Sequence, residues 1–280
     1  MNRYDLREAT VLIAAGYDSL ERVRNLKIVL RFLRTHIDAA IHLLEAGPRP
    51  VFRDHIAEHL PFLRYTFAED AGPFFYKTRL LNRLLAACDT PVAIVYDADI
   101  VCHPANLQRA CRLVRQGADI VLPYSGLCLD VPEPVKPRML GAPKDFPRVN
   151  ELGVLYPDAT GGAVVFARES LLAAGGYNEY FKSWGHEDRE VLHRMQGLGY
   201  SQETVAGHIY HLRHPRDRDS HPDRNPHYAE NCREYERVLA MDRETLRRYV
   251  AAFPWRSRCA SCDDGTPHAR SGASSRETPH

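Results

Sequence analysis

Residues 91–96 (PVAIVY) form a continuous apolar run that leads directly into Asp97-Ala98-Asp99. A run that is apolar at successive positions is typical of a strand buried on both faces, as in a parallel sheet. Residues 10–15 (TVLIAA) form a second such run, and the segment after it has leucine and valine at helical spacing. Strands that alternate with helices predict an α/β fold, with a twisted, mainly parallel central sheet flanked by helices.

The same alternation continues along the chain. Further strands are predicted at residues 39–44, 65–67, 120–123, 163–167 and 203–212. Helices are predicted at residues 20–33, 75–87, 169–174, 187–196, 228–239 and 243–250, and another begins at Pro104. Asp18 or Ser19 is the expected cap of the first helix. Proline-rich residues 128–157 predict a long loop with an edge strand, residues 215–226 a mobile loop, and residues 256–280 a disordered tail.

Composition excludes several classes of protein. Hydrophobic residues make up 44% of the 280 residues and charged residues 26%, which is typical of a soluble globular protein. The net charge of +1 provides no basic field for nucleic acid, and no apolar run reaches the ~18 residues of a transmembrane helix. The seven cysteines are odd in number and scattered, which favours reduced thiols and a cytoplasmic location. Cys259 and Cys262 form a lone CxxC pair, which we interpret as part of an ordinary tail.

Asp97 and Asp99 follow directly on the predicted strand at residues 91–96. Ligands of parallel sheets bind beyond the carboxyl ends of the strands, which is where these two carboxylates fall. Hard oxygen ligands suit Mg²⁺ or Mn²⁺ that bridges phosphate oxygens. The alternative is a turn or a helix cap, since Asp99 also precedes a helix.

His208, His211 and His214 recur at intervals of three. Imidazole is a better ligand for Mn²⁺ than for Mg²⁺, so a histidine at the metal site favours Mn²⁺. Residues three apart face opposite sides of a straight strand, so two of them share a metal only if the strand ends or turns near Leu212, a break that Pro215 favours. The pattern leaves open which of the three binds, and solvated surface histidines are the alternative in a chain with 14 of them.

Glu187 and Asp188 begin a predicted helix just after Trp184. Carboxylates are favoured at a helix N-terminus by the helix dipole, which is one explanation for both. The other is functional: Asp188 acts as a general base on a hydroxyl group, and the ring of Trp184 stacks on a sugar face.

Three segments together resemble β-1,4-galactosyltransferase-like enzymes, which have the GT-A fold. The acceptor-side motif of that family resembles Gly161-Gly162, Gly175-Gly176-Tyr177-Asn178 and Trp184-Gly185-His186-Glu187-Asp188. Residues 69–82 resemble its nucleotide-side segment, and residues 213–217 its metal-histidine segment. The similarity covers about residues 10 to 240 in the same order.

The resemblance implies a role for each matched residue. Asp99, His211 and His214 would bind the metal. Asp97, Phe75, Lys77 and Arg22 would bind the nucleotide-sugar. Asp188 would be the catalytic base, and Glu187, Trp184 and Gly162 would bind the acceptor. The resemblance further implies one GT-A domain at residues 1–255, with a nucleotide-binding half at about residues 8–125 and an acceptor and metal half at about residues 126–255.

This chain departs from the family pattern in three places. His186 stands where a glycine is usual, and residues 15–19 replace a turn that contains proline and arginine. The membrane anchor and stem of the animal enzymes are not seen, so we expect a soluble relative of bacterial type.

The function implied is transfer of a hexose of galactose or N-acetylgalactosamine type from a UDP-sugar to a saccharide or other hydroxyl acceptor. The reaction is expected to invert the anomeric centre, to depend on Mn²⁺ or Mg²⁺, and to serve polysaccharide biosynthesis. Two alternatives remain. One is a sugar nucleotidyltransferase, which would carry a glycine-rich basic loop after its first strand. The other is a non-catalytic module that binds nucleotide-sugars.

Overall fold

A seven-stranded sheet and a four-stranded sheet form the centre of the protein in the computed structural model, which describes residues 3–215 and 221–256. In chain order the strands are β1 (Tyr4–Gly16), β2 (Ile37–Gly47), β3 (Arg64–Glu69), β4 (Val92–Tyr96), β5 (Ile100–Cys102), β6 (Ile120–Leu122), β7 (Leu127–Val131), β8 (Gly153–Tyr156), β9 (Ala163–Ala167), β10 (Gln202–Thr204) and β11 (His208–Leu212). The α-helices are α1 (Leu20–His36), α2 (Val51–His55), α3 (Lys77–Ala86), α4 (Pro104–Arg115), α5 (Arg168–Ala173), α6 (Glu187–Leu198), α7 (Tyr228–Leu239) and α8 (Arg243–Ala251). Short 3-10 helices lie at Ala57–Phe62, Glu133–Leu140, Pro143–Asp145 and Val149–Glu151.

The larger sheet has the strand order β10-β6-β9-β4-β1-β2-β3. Most neighbouring strands are parallel, but β9 runs antiparallel to both β4 and β6. The α/β fold is as predicted. The sheet is mixed, since β9 lies between β4 and β6 and runs opposite to both. As a result the start of β9 lies beside the end of β4, where the Asp97 backbone N–H donates to the Gly162 carbonyl oxygen at 2.8 Å.

Helices cover both faces of this sheet, as the apolar runs predict. Successive residues of β1 point to opposite faces, so Val11 and Ile13 join one hydrophobic cluster and Leu12 joins the other. Leucines of α1 and α4 complete the first cluster, and residues of α3, α5, α6 and α8 complete the second. Helix α1 begins after Ser19, whose side chain accepts from the Arg22 backbone N–H, so Ser19 is the cap.

Two sequence predictions about secondary structure are wrong. The strand predicted at residues 203–212 is split into β10 and β11, which belong to different sheets; Gly207, at φ +143°, lies in the break. Residues 128–157 contain most of β7 as well as β8, where a long loop with one edge strand was predicted. Both strands are short, and three of the five prolines between them lie in 3-10 helices, so the apolar periodicity is weak there.

The smaller sheet has the order β5-β11-β7-β8 and brings β11 beside β5 and β7, around the predicted metal residues. β11 runs antiparallel to β5, with His211 opposite Ile100, and the Leu212 backbone N–H donates to the Asp99 carbonyl oxygen at 2.8 Å. The buried Asn25 of α1 donates to the Leu212 carbonyl oxygen at 2.7 Å. These bonds fix the end of β11 beside Asp99.

Several predictions fall on residues 216–220 and 257–280, which lie outside the described residues. They concern part of the mobile loop at residues 215–226, almost all of the predicted tail, and the Cys259 and Cys262 pair. Within the described part of the chain, the cysteines are free and no helix combines the length and apolar character needed to cross a membrane. The predicted limits of the domain and its halves stay predictions.

Candidate active site

A cavity of about 540 Å³ opens at the carboxyl ends of β1, β2 and β4. All the site residues predicted from sequence line it, although they come from distant parts of the chain. They are Arg22, Phe75, Lys77, Asp97, Asp99, Gly162, Trp184, Glu187, Asp188, His211 and His214. The fold therefore brings the predicted nucleotide, metal and acceptor residues into one space.

Asp99, His211 and His214 form a group that could hold a metal ion, since one potential ligand atom of each lies within 4.8 Å of the others. The extended chain ends at Leu212, which lets His211 and His214 turn to the same side. His208 is not in this group, and its Nε2 atom pairs with the Tyr210 hydroxyl at 2.8 Å. The structure thus separates the three histidines that the sequence pattern left equivalent.

The donor set fits a divalent cation of the Mn²⁺ type, with one carboxylate and two imidazoles. The Nδ1 atom of His211 is buried and makes no hydrogen bond among the described residues, although the carboxylate of Asp130 lies 3.7 Å away. A second carboxylate beside a candidate ligand histidine is common around metals, where it orients the ring. Sequence reasoning missed Asp130, which pairs with His211 across β7 and β11 and carries no motif of its own.

Asp99 is held on two sides by Arg22 and His214. Arg22 Nη1 lies 2.9 Å from Asp99 Oδ2, and His214 Nε2 lies 3.1 Å from the same oxygen. Burial opposes ionisation of Asp99, but the hydrogen bond from His214 and the charges of His211 and Arg22 outweigh it and lower the pKa of this carboxyl. Arg22 is held in turn by Asp18, at 2.7 Å. Asp99 is therefore ionised at neutral pH, as a metal ligand must be.

Lys77, the first residue of α3, lies between the predicted donor and acceptor residues. Its Nζ atom is 3.1 Å from Asp97 Oδ1, 3.2 Å from Asp188 Oδ2 and 3.5 Å from Glu187 Oε1. Burial opposes its positive charge, but the three carboxylates outweigh burial and raise the pKa of Lys77. One cation thus links the end of β4 to the start of α6.

Asp188 lies against the backbone of the segment that leads into β9. A Cβ atom added to Gly161 would come within 2.0 Å of Asp188 Oδ2, so a side chain at that position would displace the carboxylate. The Gly161 carbonyl oxygen accepts a hydrogen bond from the buried Tyr124 hydroxyl. Burial raises the pKa of Asp188 to about 7, with Lys77 opposing the rise and Glu187 and Asp97 adding to it. A carboxyl that titrates near neutral pH suits general acid–base chemistry.

The remaining acceptor residues lie in the tight segment before α6. Glu187 is buried, and its Oε2 atom accepts from the Gly185 backbone N–H at 2.8 Å. Trp184 stacks on Tyr228 of α7, with ring centroids 5.9 Å apart. Its carbonyl oxygen accepts from Asn225 at 2.7 Å and from Asn231 at 3.2 Å. Tyr228 and the two asparagines were missed from sequence, because they follow Trp184 by about 40 residues and match no motif.

The backbone conformation of His186 explains why the family pattern has a glycine at this position. Its φ of +66° lies in the left-handed region, which residues other than glycine rarely adopt. The ring stacks on Tyr235, with centroids 4.9 Å apart and planes at 9°, and lies 5.7 Å from the Tyr228 ring. Burial lowers the pKa of His186, so the ring is neutral at pH 7. These aromatic contacts hold a residue whose backbone favours glycine.

Two substitutions separate strain from stacking at this position. Both His186→Gly and His186→Ala remove the ring, but only alanine keeps the left-handed strain. We expect the alanine variant to have the lower free energy of unfolding, by about 1 kcal/mol, in urea denaturation. Arg189, an exposed residue of α6, supplies the control, since glycine there should be less stable than alanine. Equal stability of the two His186 variants would contradict the strain.

Comparison with known proteins finds similarity in both sequence and fold. Residues 149–215 match the family described as the N-terminal domain of galactosyltransferase. This segment contains the predicted acceptor residues, Asp188 and both candidate metal histidines. A probable N-acetylgalactosaminyltransferase 9 from Caenorhabditis elegans is 32% identical over 103 residues, which cover 32% of this chain. The matched part spans only 18% of that relative's length.

Among solved structures, a mannosyltransferase from Pyrobaculum calidifontis, in complex with GDP-Man and Mn²⁺, superposes with a TM-score of 0.53. The two proteins are 16% identical, and the match covers 90% of this chain and 72% of the other. The fold of the chain is the GT-A fold, and residues 149–215 are galactosyltransferase-like, as the sequence predicted. The comparisons thus agree on a galactosyltransferase-like segment within a GT-A fold.

Proposed function

We propose that this protein is a metal-dependent, inverting glycosyltransferase that moves a hexose of galactose or N-acetylgalactosamine type from a UDP-sugar to a hydroxyl acceptor. The observation that carries the proposal is that one cavity contains both a candidate metal group and a separate carboxyl with a pKa near 7. A transfer between two substrates needs both features, one for the leaving group and one for the attacking hydroxyl. The acceptor would be a saccharide or another hydroxyl compound.

The metal group and its neighbours would hold the donor. Asp99, His211 and His214 would bind Mn²⁺ or Mg²⁺, which when bound supplies the positive charge that neutralises a leaving diphosphate. Mn²⁺ together with a nucleotide-sugar is present in the mannosyltransferase of similar fold. Phe75 lies against the end of β1, with its ring close to Gly16, where it can contact a nucleotide base. Asp97 and Arg22 complete the proposed donor side.

Asp188 would act on the acceptor. The acceptor hydroxyl gives its proton to Asp188 while its oxygen attacks the anomeric carbon of the donor sugar. The bond between that carbon and the diphosphate oxygen breaks at the same time, and UDP leaves. Attack on the face opposite the leaving group inverts the anomeric centre. Glu187, Trp184 and Gly162 would position the acceptor, and holding both substrates in line lowers the barrier further.

Release of UDP from a panel of UDP-sugars tests this function. With Mn²⁺ present, we expect UDP to accumulate with at least one hexose donor, and faster when a saccharide acceptor is added. NMR of the product should show an inverted anomeric configuration. Formation of UDP-sugar and pyrophosphate from UTP and a sugar phosphate would instead identify a nucleotidyltransferase. Binding without turnover of any donor and acceptor pair would identify a binding module.

The residues after β1 already favour the transferase over a nucleotidyltransferase. A nucleotidyltransferase is expected to carry a glycine-rich basic loop there. In this chain Tyr17 and Asp18 line the cavity at that place, and Asp18 is acidic and bonded to Arg22.

A further inference from the structure

The ammonium group of Lys77 is surrounded by carboxylates. Asp97, Glu187 and Asp188 each lie within 3.5 Å of Nζ, and only 14% of the Lys77 side chain is exposed. The resemblance assigns Lys77 to the nucleotide-sugar, yet its partners here come from both sides of the cavity. Asp97 lies on the donor side, whereas Glu187 and Asp188 lie on the acceptor side.

The position of Lys77 in its helix is itself informative. It is the first residue of α3, and the first turn of that helix contains no acidic residue. A cation at a helix N-terminus opposes the helix dipole, so the helix does not favour lysine there. The carboxylates around Nζ supply the compensating interaction, and they lie at least 20 residues away along the chain.

We propose that Lys77 is a positioning residue that favours the ionised form of Asp188 and fixes its orientation toward the acceptor. This inference rests on the proposed function, because it concerns the base of that reaction. Two of the hydrogen bonds from Nζ go to Asp188, at 3.2 Å to Oδ2 and 3.4 Å to Oδ1. The ammonium therefore contacts both carboxylate oxygens and restricts rotation of the group.

The other groups around Asp188 do not provide a positive charge. Glu187 and Asp97 are acidic and raise its pKa, and burial raises it further. The phenols of Tyr124 and Tyr177 also lie close enough to interact with its charge, and burial raises the pKa of both, so they are neutral at pH 7. Among the described residues, Lys77 has the largest lowering effect on the pKa of Asp188.

The sign of the effect follows directly. Asp188 must be ionised to accept a proton, so the transfer rate falls as the pH drops below its pKa. Removing the Lys77 charge raises that pKa, because a nearby opposite charge typically lowers a carboxyl pKa by about 1–3 units. The acidic limb of the pH–rate profile should therefore move to higher pH by about 1–3 units in Lys77→Met.

The experiment compares kcat/KM for the acceptor across pH in the wild type, Lys77→Met and Lys77→Arg. The arginine variant keeps the charge and should keep the position of the limb. Arg79→Met is the matched control, since Arg79 lies two residues further along α3, is half exposed and does not line the cavity. Carboxyl ¹³C NMR, with the Asp188 signal assigned from its loss in Asp188→Asn, measures the same pKa without turnover.

The outcomes separate the possible roles. In Lys77→Met, a shift to higher pH of both the acidic limb of the pH–rate profile and the ¹³C titration midpoint of Asp188 supports the inference. A higher KM for the donor, with no change in the acidic limb of the pH–rate profile or in the ¹³C titration midpoint, overturns it. Lys77 would then be a residue that binds the donor. If Lys77→Met does not fold, Lys77→Gln decides by the same readouts. Lack of transfer by the wild type contradicts the proposed function instead, and the ¹³C titration still tests the pairing.

Discussion

Replacing Asp188 with asparagine is expected to lower the rate of sugar transfer by about 10²–10⁴-fold, the usual contribution of a general base. Binding of UDP and Mn²⁺ should remain, because neither Asp99 nor the two histidines touch the substituted group in the described contacts. The asparagine side chain has the same shape and fits against Gly161. Its amide cannot take a proton from a hydroxyl group at neutral pH, so only the rate of the chemical step should fall.

The measurement is kcat for transfer at saturating substrates, together with calorimetric titration of UDP in the presence of Mn²⁺. Asp89→Asn is a suitable control, because it makes the same chemical change at an exposed residue outside the cavity. Unchanged turnover in Asp188→Asn would reject the assignment of the base. Loss of both turnover and UDP binding would point to a structural role for Asp188.

Replacing Asp99 with asparagine is expected to weaken Mn²⁺ binding by about 100-fold or more, since even the partners that orient metal ligands are worth about 10–100-fold. Asp99 is the one carboxylate of the candidate group, and its negative charge offsets that of the cation. Transfer activity should fall with it at a fixed Mn²⁺ concentration and recover in part when more Mn²⁺ is added.

Electron paramagnetic resonance of free Mn²⁺ measures this affinity without reference to activity. His208→Ala is the matched control from the same histidine run, because His208 pairs with Tyr210 and lies outside the candidate group. We expect its Mn²⁺ affinity to equal that of the wild type. A large loss in His208→Ala, with none in Asp99→Asn, would place the metal elsewhere.

Local sequence patterns predicted much of the fold. The apolar runs at residues 10–15 and 91–96 are buried strands, and α7 was predicted with its observed ends, Tyr228–Leu239. These elements can be recognised in the sequence because burial of one or both faces produces a regular spacing of apolar residues. The strand predicted at residues 203–212 was wrong for the converse reason: only three residues separate β10 from β11, and the pairing of these strands with different sheets is not a property of neighbouring residues.

The candidate site was predictable only where a motif marks it. Asp97 and Asp99 follow a strand end, and Trp184 to Asp188 match a family segment. Asp130 could not be found in this way, because its importance comes from pairing across strands with His211, 81 positions further along. The same holds for Tyr228 and Asn231, which hold Trp184 from another helix.

By itself, the sequence predicted the α/β architecture and part of the lining of one cavity, since periodicity and motifs are properties of neighbouring residues. Only the tertiary structure decided that Asp130 lies beside His211, and that Lys77 lies among three carboxylates from two other parts of the chain. Lys77 and Asp188 are 111 residues apart in the chain. Charges at that separation interact only once strands and helices have packed, because Coulomb energy depends on distance in space.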